Sequence, residues 1–174
     1  MHAPGQEVLV HVLSGVLRVD LVDVRRKHRL FLHLALPGDH ILLPQGRMGN
    51  EEHCASALTP VTAQVLDRHD APFDRALQAV PQTLMRRHAE AMQLKAAPTI
   101  TRKIDALFEI LSIQAGIPAE GLYRGSLLRQ VQIASILGVA PESVSRAVRD
   151  MRPPHAPGLV SSLSAHQGGL GMQA

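Results

Sequence analysis

Residues 129–146, which read Arg-Gln-Val-Gln-Ile-Ala-Ser-Ile-Leu-Gly-Val-Ala-Pro-Glu-Ser-Val-Ser-Arg, constrain the fold more than any other part of the chain. Gly138 stands where a first helix must end, because glycine tolerates the positive φ that helix ends often need. Pro141 suits the first position of a second helix, where its missing N–H costs nothing. Val144 and Val148, four residues apart, give that second helix one apolar face. The first helix has its own apolar residues at helical spacing, Ile133, Ile136 and Leu137. The segment therefore predicts a helix-turn-helix.

The second of these helices leaves polar and basic side chains on or near its outer face. Such side chains in the N-terminal half of a helix can reach base edges in the major groove of DNA. Residues 124–152 also hold five arginines against two acidic residues, and this excess of three equals the net charge of +3 of the whole chain. We predict that the segment binds DNA, although an ordinary packed helix pair is the alternative. The candidate contacts are Glu142, Ser143, Ser145, Arg146, Arg149 and, at the start of the first helix, Arg129.

The N-terminal half has a different pattern, in which short runs of Leu and β-branched residues are separated by turn signals. The runs are residues 8–12, 16–24, 29–36 and 61–66. Leu17, Val19 and Leu21 alternate with Arg18 and Asp20, and such alternation predicts strands with one buried face. The basic residues 25–28 are predicted to form an exposed hairpin tip between two strands. We predict an α+β chain whose residues 1–73 form an antiparallel β jelly roll (a double-stranded β-helix).

The middle of the chain predicts a long helix that pairs with its copy. Residues 81–97 are helical in composition, and Pro98 ends the helix because proline removes a backbone donor. Met85, His88 and Met92 form a neighbouring stripe that we expect to pack on the roll. A helix that packs only on its own domain is the alternative. The residues spaced as the a/d seam of a coiled coil, which Arg87 interrupts, are Leu77, Val80, Leu84, Ala91 and Leu94.

The resulting domain division assigns residues 1–73 to the roll and 74–98 to the dimerisation helix and hinge. Residues 99–152, which include a further predicted helix at 102–114, form the helix-turn-helix domain. Residues 153–174 are rich in Pro, Gly and Ser, which predicts a loop or disordered tail.

Residues 138–146 resemble the recognition segment of the Crp–Fnr superfamily of bacterial transcription regulators. The order of strand runs before them resembles the cyclic-nucleotide-binding-like roll of the same superfamily. The resemblance implies that Glu142, Ser145 and Arg146 contact base edges. It also implies a homodimer on a two-fold symmetric operator in double-stranded DNA, with RNA polymerase as a further partner. The sequence departs from the family at Ala140, where a capping Ser or Thr is usual, in the late start of its roll, and in the lack of a clear wing after Met151.

A further departure concerns the cyclic nucleotide. The resemblance implies an Arg-Ser pair that grips the cyclic phosphate, but alignment of this segment puts Glu51 and Glu52 on that pair. Two carboxylates repel a phosphodiester, and Arg47 is the one cation that the segment offers. We therefore predict that cyclic nucleotide does not bind.

The ten histidines raise the question of haem or a metal. Those of the predicted roll, His28, His33, His40 and His53, show no His-x-His or His-x3-His pairing, although imidazoles on strands can converge in three dimensions. We predict no cofactor and no enzymatic activity. Two alternatives stay open: a haem- or small-ligand-binding sensor whose DNA-binding domain does not function, and a cupin-like metalloprotein.

The cysteine content and the hydropathy of the sequence indicate where in the cell the protein is expected. The single cysteine, Cys54, cannot form an internal disulfide or a four-thiolate iron–sulfur site, and this favours a cytoplasmic protein. The sequence shows no run of about 18 apolar residues, so we expect no membrane span.

Overall fold

The computed structural model describes residues 7–44, 49–118, 121–122 and 128–151. The predicted tail 153–174, together with Arg47, Arg124 and Arg152, lies outside the described residues. Within the described part, six strands precede four helices, which confirms the mixed α+β class.

Two antiparallel sheets of three strands each form the N-terminal part. In the first, β1 (Glu7–Ser14) lies between β4 (His40–Pro44) and β6 (Thr62–Leu66). In the second, β2 (Leu17–Asp23) lies between β3 (His28–Ala35) and β5 (Glu51–Ala57). The sheets pack face to face, because one buried cluster takes apolar residues from both, namely Val10, Val12, Val19, Ala35 and Ile41. Strands β1, β2, β3 and β6 match the predicted runs, and the pattern of short runs did not predict β4 or β5.

The chain turns from β1 to β2 at Gly15, where only glycine fits. Its φ is 78°, and a Cβ there would lie 2.0 Å from the carbonyl oxygen of Pro60. The next residue, Val16, donates its N–H to Thr59 Oγ1 at 2.9 Å, so this turn is bonded to the loop between β5 and β6.

The helices are α1 (Phe73–Ala96), α2 (Ile100–Ala115), α3 (Gln130–Leu137) and α4 (Pro141–Met151). Helix α1 begins eight residues before the predicted start at 81, and Pro81 lies inside it rather than at its beginning. Thr99 precedes α2 in an extended conformation, and its Oγ1 accepts the N–H of Arg102 at 3.2 Å. A side-chain cap of this kind stabilises the first turn of a helix.

The largest buried cluster joins the sheets to the helices, so the core crosses the predicted hinge at Pro98. Phe31, Leu34 and Leu36 pack in this cluster with Ala91 and Leu94 of α1 and with buried residues of α2, α3 and α4. The alternation in β2 predicted one buried face, and this is wrong, because Arg18 and Asp20 are buried as well. Their charges are paired at 2.6 Å, and Arg18 Nη2 donates to Ser135 of α3 at 3.0 Å. The C-terminal helices therefore cover the second face of this sheet.

Candidate nucleic-acid interface

The turn between α3 and α4 follows from two local residues. Gly138 ends α3 with a φ of 66°, and the N–H of Val139 returns to the carbonyl of Ala134 at 3.0 Å. Pro141 is the first residue of α4, as its missing N–H predicts. The carbonyl of Ala140 accepts the N–H of Ser143 at 3.0 Å, while its methyl side chain supplies no cap. Buried side chains hold the two helices together: Ile133, Ala134, Ile136 and Leu137 against Val144 and Val148.

The outer face of α4 carries the predicted DNA contacts. Glu142, Arg146 and Arg149 are exposed, and their spacing of four and three residues puts them on one stripe of the helix. Ser143 and Ser145 are half-buried at its sides. Among the described residues, neither Arg146 nor Arg149 forms an ion pair. Arg129 is exposed at the N-terminal cap of α3, where its N–H donates to Gln132 Oε1 at 2.9 Å.

A cavity of about 260 Å³ lies between the sheets and α1. Its wall is mainly apolar, with Leu32, Ile41 and Leu43 from the strands and Val80 and Leu84 from α1. Four imidazoles also line it, and we call it the histidine pocket: His33, His40, His53 and His88.

Three imidazoles of the histidine pocket contact another imidazole. The rings of His40 and His11 are stacked with centroids 4.3 Å apart, and those of His33 and His88 meet edge to face at 5.1 Å. Burial lowers the pKa of His33 below its ordinary value, although the bond from its Nδ1 to the carbonyl of Leu34 opposes the shift. Burial, followed by the neighbouring His11, also lowers the pKa of His40. Both surroundings thus favour neutral imidazole.

A buried ion network lies beside the histidine pocket. Asp39, in the turn before β4, is 1% exposed and accepts from Arg87 Nε at 2.7 Å and Nη2 at 3.0 Å. Arg87 also donates to Glu90 at 2.7 Å and to Gln114 of α2. Burial opposes the charge of Arg87, but its bonds to Asp39 and Glu90 outweigh that effect and raise the pKa of Arg87. The network joins the sheets, α1 and α2 through one guanidinium group.

The residues of the predicted dimer seam differ in burial along α1. Leu77 and Leu84 are 38% and 39% exposed and Val80 is half-buried, whereas Ala91 and Leu94 are buried in the core of this chain. The prediction that Ala91 and Leu94 belong to a dimer seam is therefore corrected, because both pack in the core of this chain.

The methionines of α1 also differ from the prediction, which placed them against the roll. Met85 and Met92 are 75% and 72% exposed. Together with the two exposed leucines they form an apolar surface that we call the α1 stripe: Leu77, Leu84, Met85 and Met92.

Within the described ranges, no group of three or more His, Cys, Asp or Glu side chains is placed to hold a metal ion. No helix in the same ranges combines the length and the apolar composition needed to cross a lipid bilayer.

Comparison with known proteins gives a result at the level of the fold. No protein-family model matches the sequence, and no curated protein matches it. The CRP-family transcriptional regulator TTHB099 from Thermus thermophilus superposes with a TM-score of 0.59 at 16% identity, over 86% of this chain and 82% of its own. The CRP/FNR-family regulator TTHA1359 from the same organism gives 0.57 at 22% identity, over 86% and 79%. FixK2 from Bradyrhizobium japonicum gives 0.57 at 19% identity, over 86% and 78%. The chain has the fold of the Crp/Fnr transcription regulators. The resemblance of the sequence to this family is thereby confirmed for the fold.

Within this Crp/Fnr fold, the residues aligned with the phosphate-binding pair lie on a strand. Glu51 and Glu52 are exposed at the start of β5, where Glu51 pairs with Asp23 of β2 and Glu52 with Val22. Neither carboxylate lines the histidine pocket. Three carboxylates are thus adjacent on this edge of the sheets, and Arg47 lies outside the described residues.

Sequence reasoning missed the histidine pocket and the ion network. The turn Pro37-Gly38-Asp39-His40 and the charged pair Arg86-Arg87 were visible, but Asp39 and Arg87 are 48 residues apart. No local pattern signals a contact over that separation.

Proposed function

We propose that this chain is a transcription regulator of the Crp–Fnr family that binds a palindromic operator as a homodimer, without cyclic nucleotide. In this proposal α3 and α4 are its helix-turn-helix, the two sheets are its jelly roll, and α1 is its dimerisation helix. The observation that carries the proposal is the exposed stripe of Glu142, Arg146 and Arg149 on α4, on a chain with the Crp/Fnr fold.

Each side chain of the stripe suits a particular contact. The guanidinium of Arg146 can bond guanine O6 and N7 together, and the carboxylate of Glu142 can accept from a cytosine amino group. Ser145 and Ser143 are short enough to follow them into the groove. Arg149, a turn further along α4, and Arg129, at the start of α3, suit phosphate contacts, which hold the protein in register on the duplex.

The α1 stripe supports the homodimer. It presents Met85 and Met92 to solvent at 75% and 72% exposure, with Leu77 and Leu84 partly exposed beside them. An exposed apolar stripe on a long helix is a surface that a second copy can bury. Two copies would bring two recognition helices to the half-sites of one palindrome. RNA polymerase is a further partner in this proposal.

We propose that cyclic nucleotide does not bind, because the negative charges of Glu51 and Glu52 repel a phosphodiester.

The histidine pocket favours a second candidate function, a sensor of a small apolar ligand, because its wall is mainly apolar. Native mass spectrometry of the purified chain tests that candidate. A bound small molecule that denaturation releases would support it, and a mass equal to that of the chain alone would count against it.

Two arginine variants test the proposed function. Arg146→Ala should lower the affinity for the preferred operator by roughly 1–3 kcal/mol and relax the preference at one base pair per half-site. Arg149→Ala is the matched control on the same helix, and it should weaken all duplexes alike and reduce the salt dependence of binding. The assay is a competition between operators with single substitutions. If Arg146→Ala lowers affinity uniformly and keeps the base preference, Arg146 contacts phosphate and the assigned roles are wrong.

A further inference from the structure

The histidine pocket concentrates titratable groups at the surface where α1 packs on the sheets. His33 of β3 and His88 of α1 meet across this surface at 5.1 Å. His40 of β4 stacks on His11 of β1 at 4.3 Å, and His53 of β5 lines the same cavity. A proton on His33 or on His40 therefore places a positive charge beside another imidazole.

The other charged groups at this surface make such a charge harder to hold. Arg86 and Arg87 of α1 are both cationic and both bonded to Asp39. Asp39 Oδ1 accepts from these two arginines, and Oδ2 accepts from Arg87 Nε and from the N–H of Leu36 at 2.8 Å. A carboxylate offers about four acceptor sites, so the anion nearest to His33 and His40 is already fully bonded. Asp39 therefore has no free acceptor site for a protonated imidazole in the pocket.

We propose that the proton is an effector of this protein, and that uptake of protons by the histidine pocket releases α1 from the sheets. The proposal goes beyond DNA binding and holds whether or not the chain binds DNA. With α1 docked, His33 is 4% exposed and meets His88 of α1, and a buried charge without a counter-ion is costly. Undocking returns the imidazoles to water, where they can be protonated freely.

The direction of the pH dependence follows from the two states. Burial lowers the pKa of His33 and of His40 in the docked state, while the undocked state has the ordinary histidine pKa of about 6.5. Below this pH the undocked state binds more protons, so docking weakens as the pH falls. For each imidazole that stays neutral in the docked state, the equilibrium constant for docking falls by up to about tenfold when the pH is lowered from 7.5 to 5.5.

The ion network provides a path from this event to the rest of the chain. Arg87 lies next to His88 on α1 and donates both to Asp39 and to Gln114 of α2. Release of α1 from the sheets would break the bond between Arg87 and Asp39, or it would displace α2 together with α1. Helix α2 packs in turn on α4.

Hydrogen–deuterium exchange of the full chain at pH 7.5 and 5.5, corrected for the intrinsic exchange rates, tests the proposal. Protection of the part of α1 over residues 80–94 should fall by tenfold or more at pH 5.5, while the strands keep theirs. His40→Phe keeps a ring against His11 but cannot titrate, and His33→Asn keeps a side-chain donor for Leu34. Each of these two variants should make the loss of α1 protection at pH 5.5 smaller by up to about tenfold.

The exposed histidines supply the controls. His28→Gln and His69→Gln change imidazoles outside the pocket and should leave the pH effect intact. If His33→Asn does not fold, His40→Phe, at a half-buried position, still tests the proposal. Equal protection of α1 at both pH values would overturn it. So would an unchanged pH effect in His40→Phe, or a loss of protection that spreads evenly over strands and helices.

Discussion

Arg87→Met tests the ion network that joins the sheets, α1 and α2. Arg87 is 4% exposed, and its two bonds to Asp39 measure 2.7 and 3.0 Å. Methionine retains much of the aliphatic side chain but cannot donate, so it leaves a buried carboxylate with fewer partners. Removal of one partner from a buried ion pair costs about 3–5 kcal/mol. Because Arg86 still donates to Asp39 at 2.9 Å, we expect a loss near the lower end, about 3 kcal/mol in the free energy of unfolding.

Urea denaturation at pH 7.5 and a fixed protein concentration measures this loss. Arg86→Met is the matched control, because Arg86 bonds the same carboxylate from a side chain that is 57% exposed. Exposed ion pairs contribute about 1 kcal/mol or less, so this control should change stability little. Two results would contradict this prediction: an equal loss in the free energy of unfolding for both variants, or a loss below about 1 kcal/mol for Arg87→Met. Either result would mean that the burial of Arg87 does not make it more important to the network than Arg86.

Two further predictions concern assembly and ligand. Met85→Glu combined with Met92→Glu should give monomers in sedimentation velocity, because like charges would face each other across the α1 stripe, whereas the exposed Gln82→Glu should leave dimers intact. A double variant that stays dimeric would place the interface elsewhere. Calorimetry should detect no binding of cyclic AMP at physiological concentration, because Glu51 and Glu52 oppose its phosphate. A micromolar dissociation constant would show that the alignment of this segment is wrong.

The sequence predicted those parts of the fold whose signals are local. Gly138 and Pro141 determine the turn between α3 and α4 by backbone chemistry alone, and both behave as expected. Alternating runs also indicated β1, β2, β3 and β6. Strand β5 was missed because Glu-Glu-His-Cys-Ala-Ser-Ala has no β-branched residue. It is held extended by pairing with β2 over seven positions, a tertiary contact that propensity does not record.

The errors on α1 have a different cause. The helix is apolar on two faces, and spacing alone does not tell which face meets the sheets. Ala91 and Leu94 pack inward, while Met85 and Met92 remain at the surface. Arg87, which looked like an interruption of the seam, is bonded to an aspartate 48 residues earlier in the chain.

Operator binding is best tested by a selection of binding sites from randomised double-stranded DNA with the purified chain. The selection should enrich one two-fold symmetric sequence, with half-sites about one helical turn, or 10 base pairs, apart. Each half-site should contain the G·C pair whose preference Arg146→Ala relaxes. Recovery of sequences without symmetry, or no enrichment over the starting pool, would contradict the proposal that this chain is an operator-binding regulator.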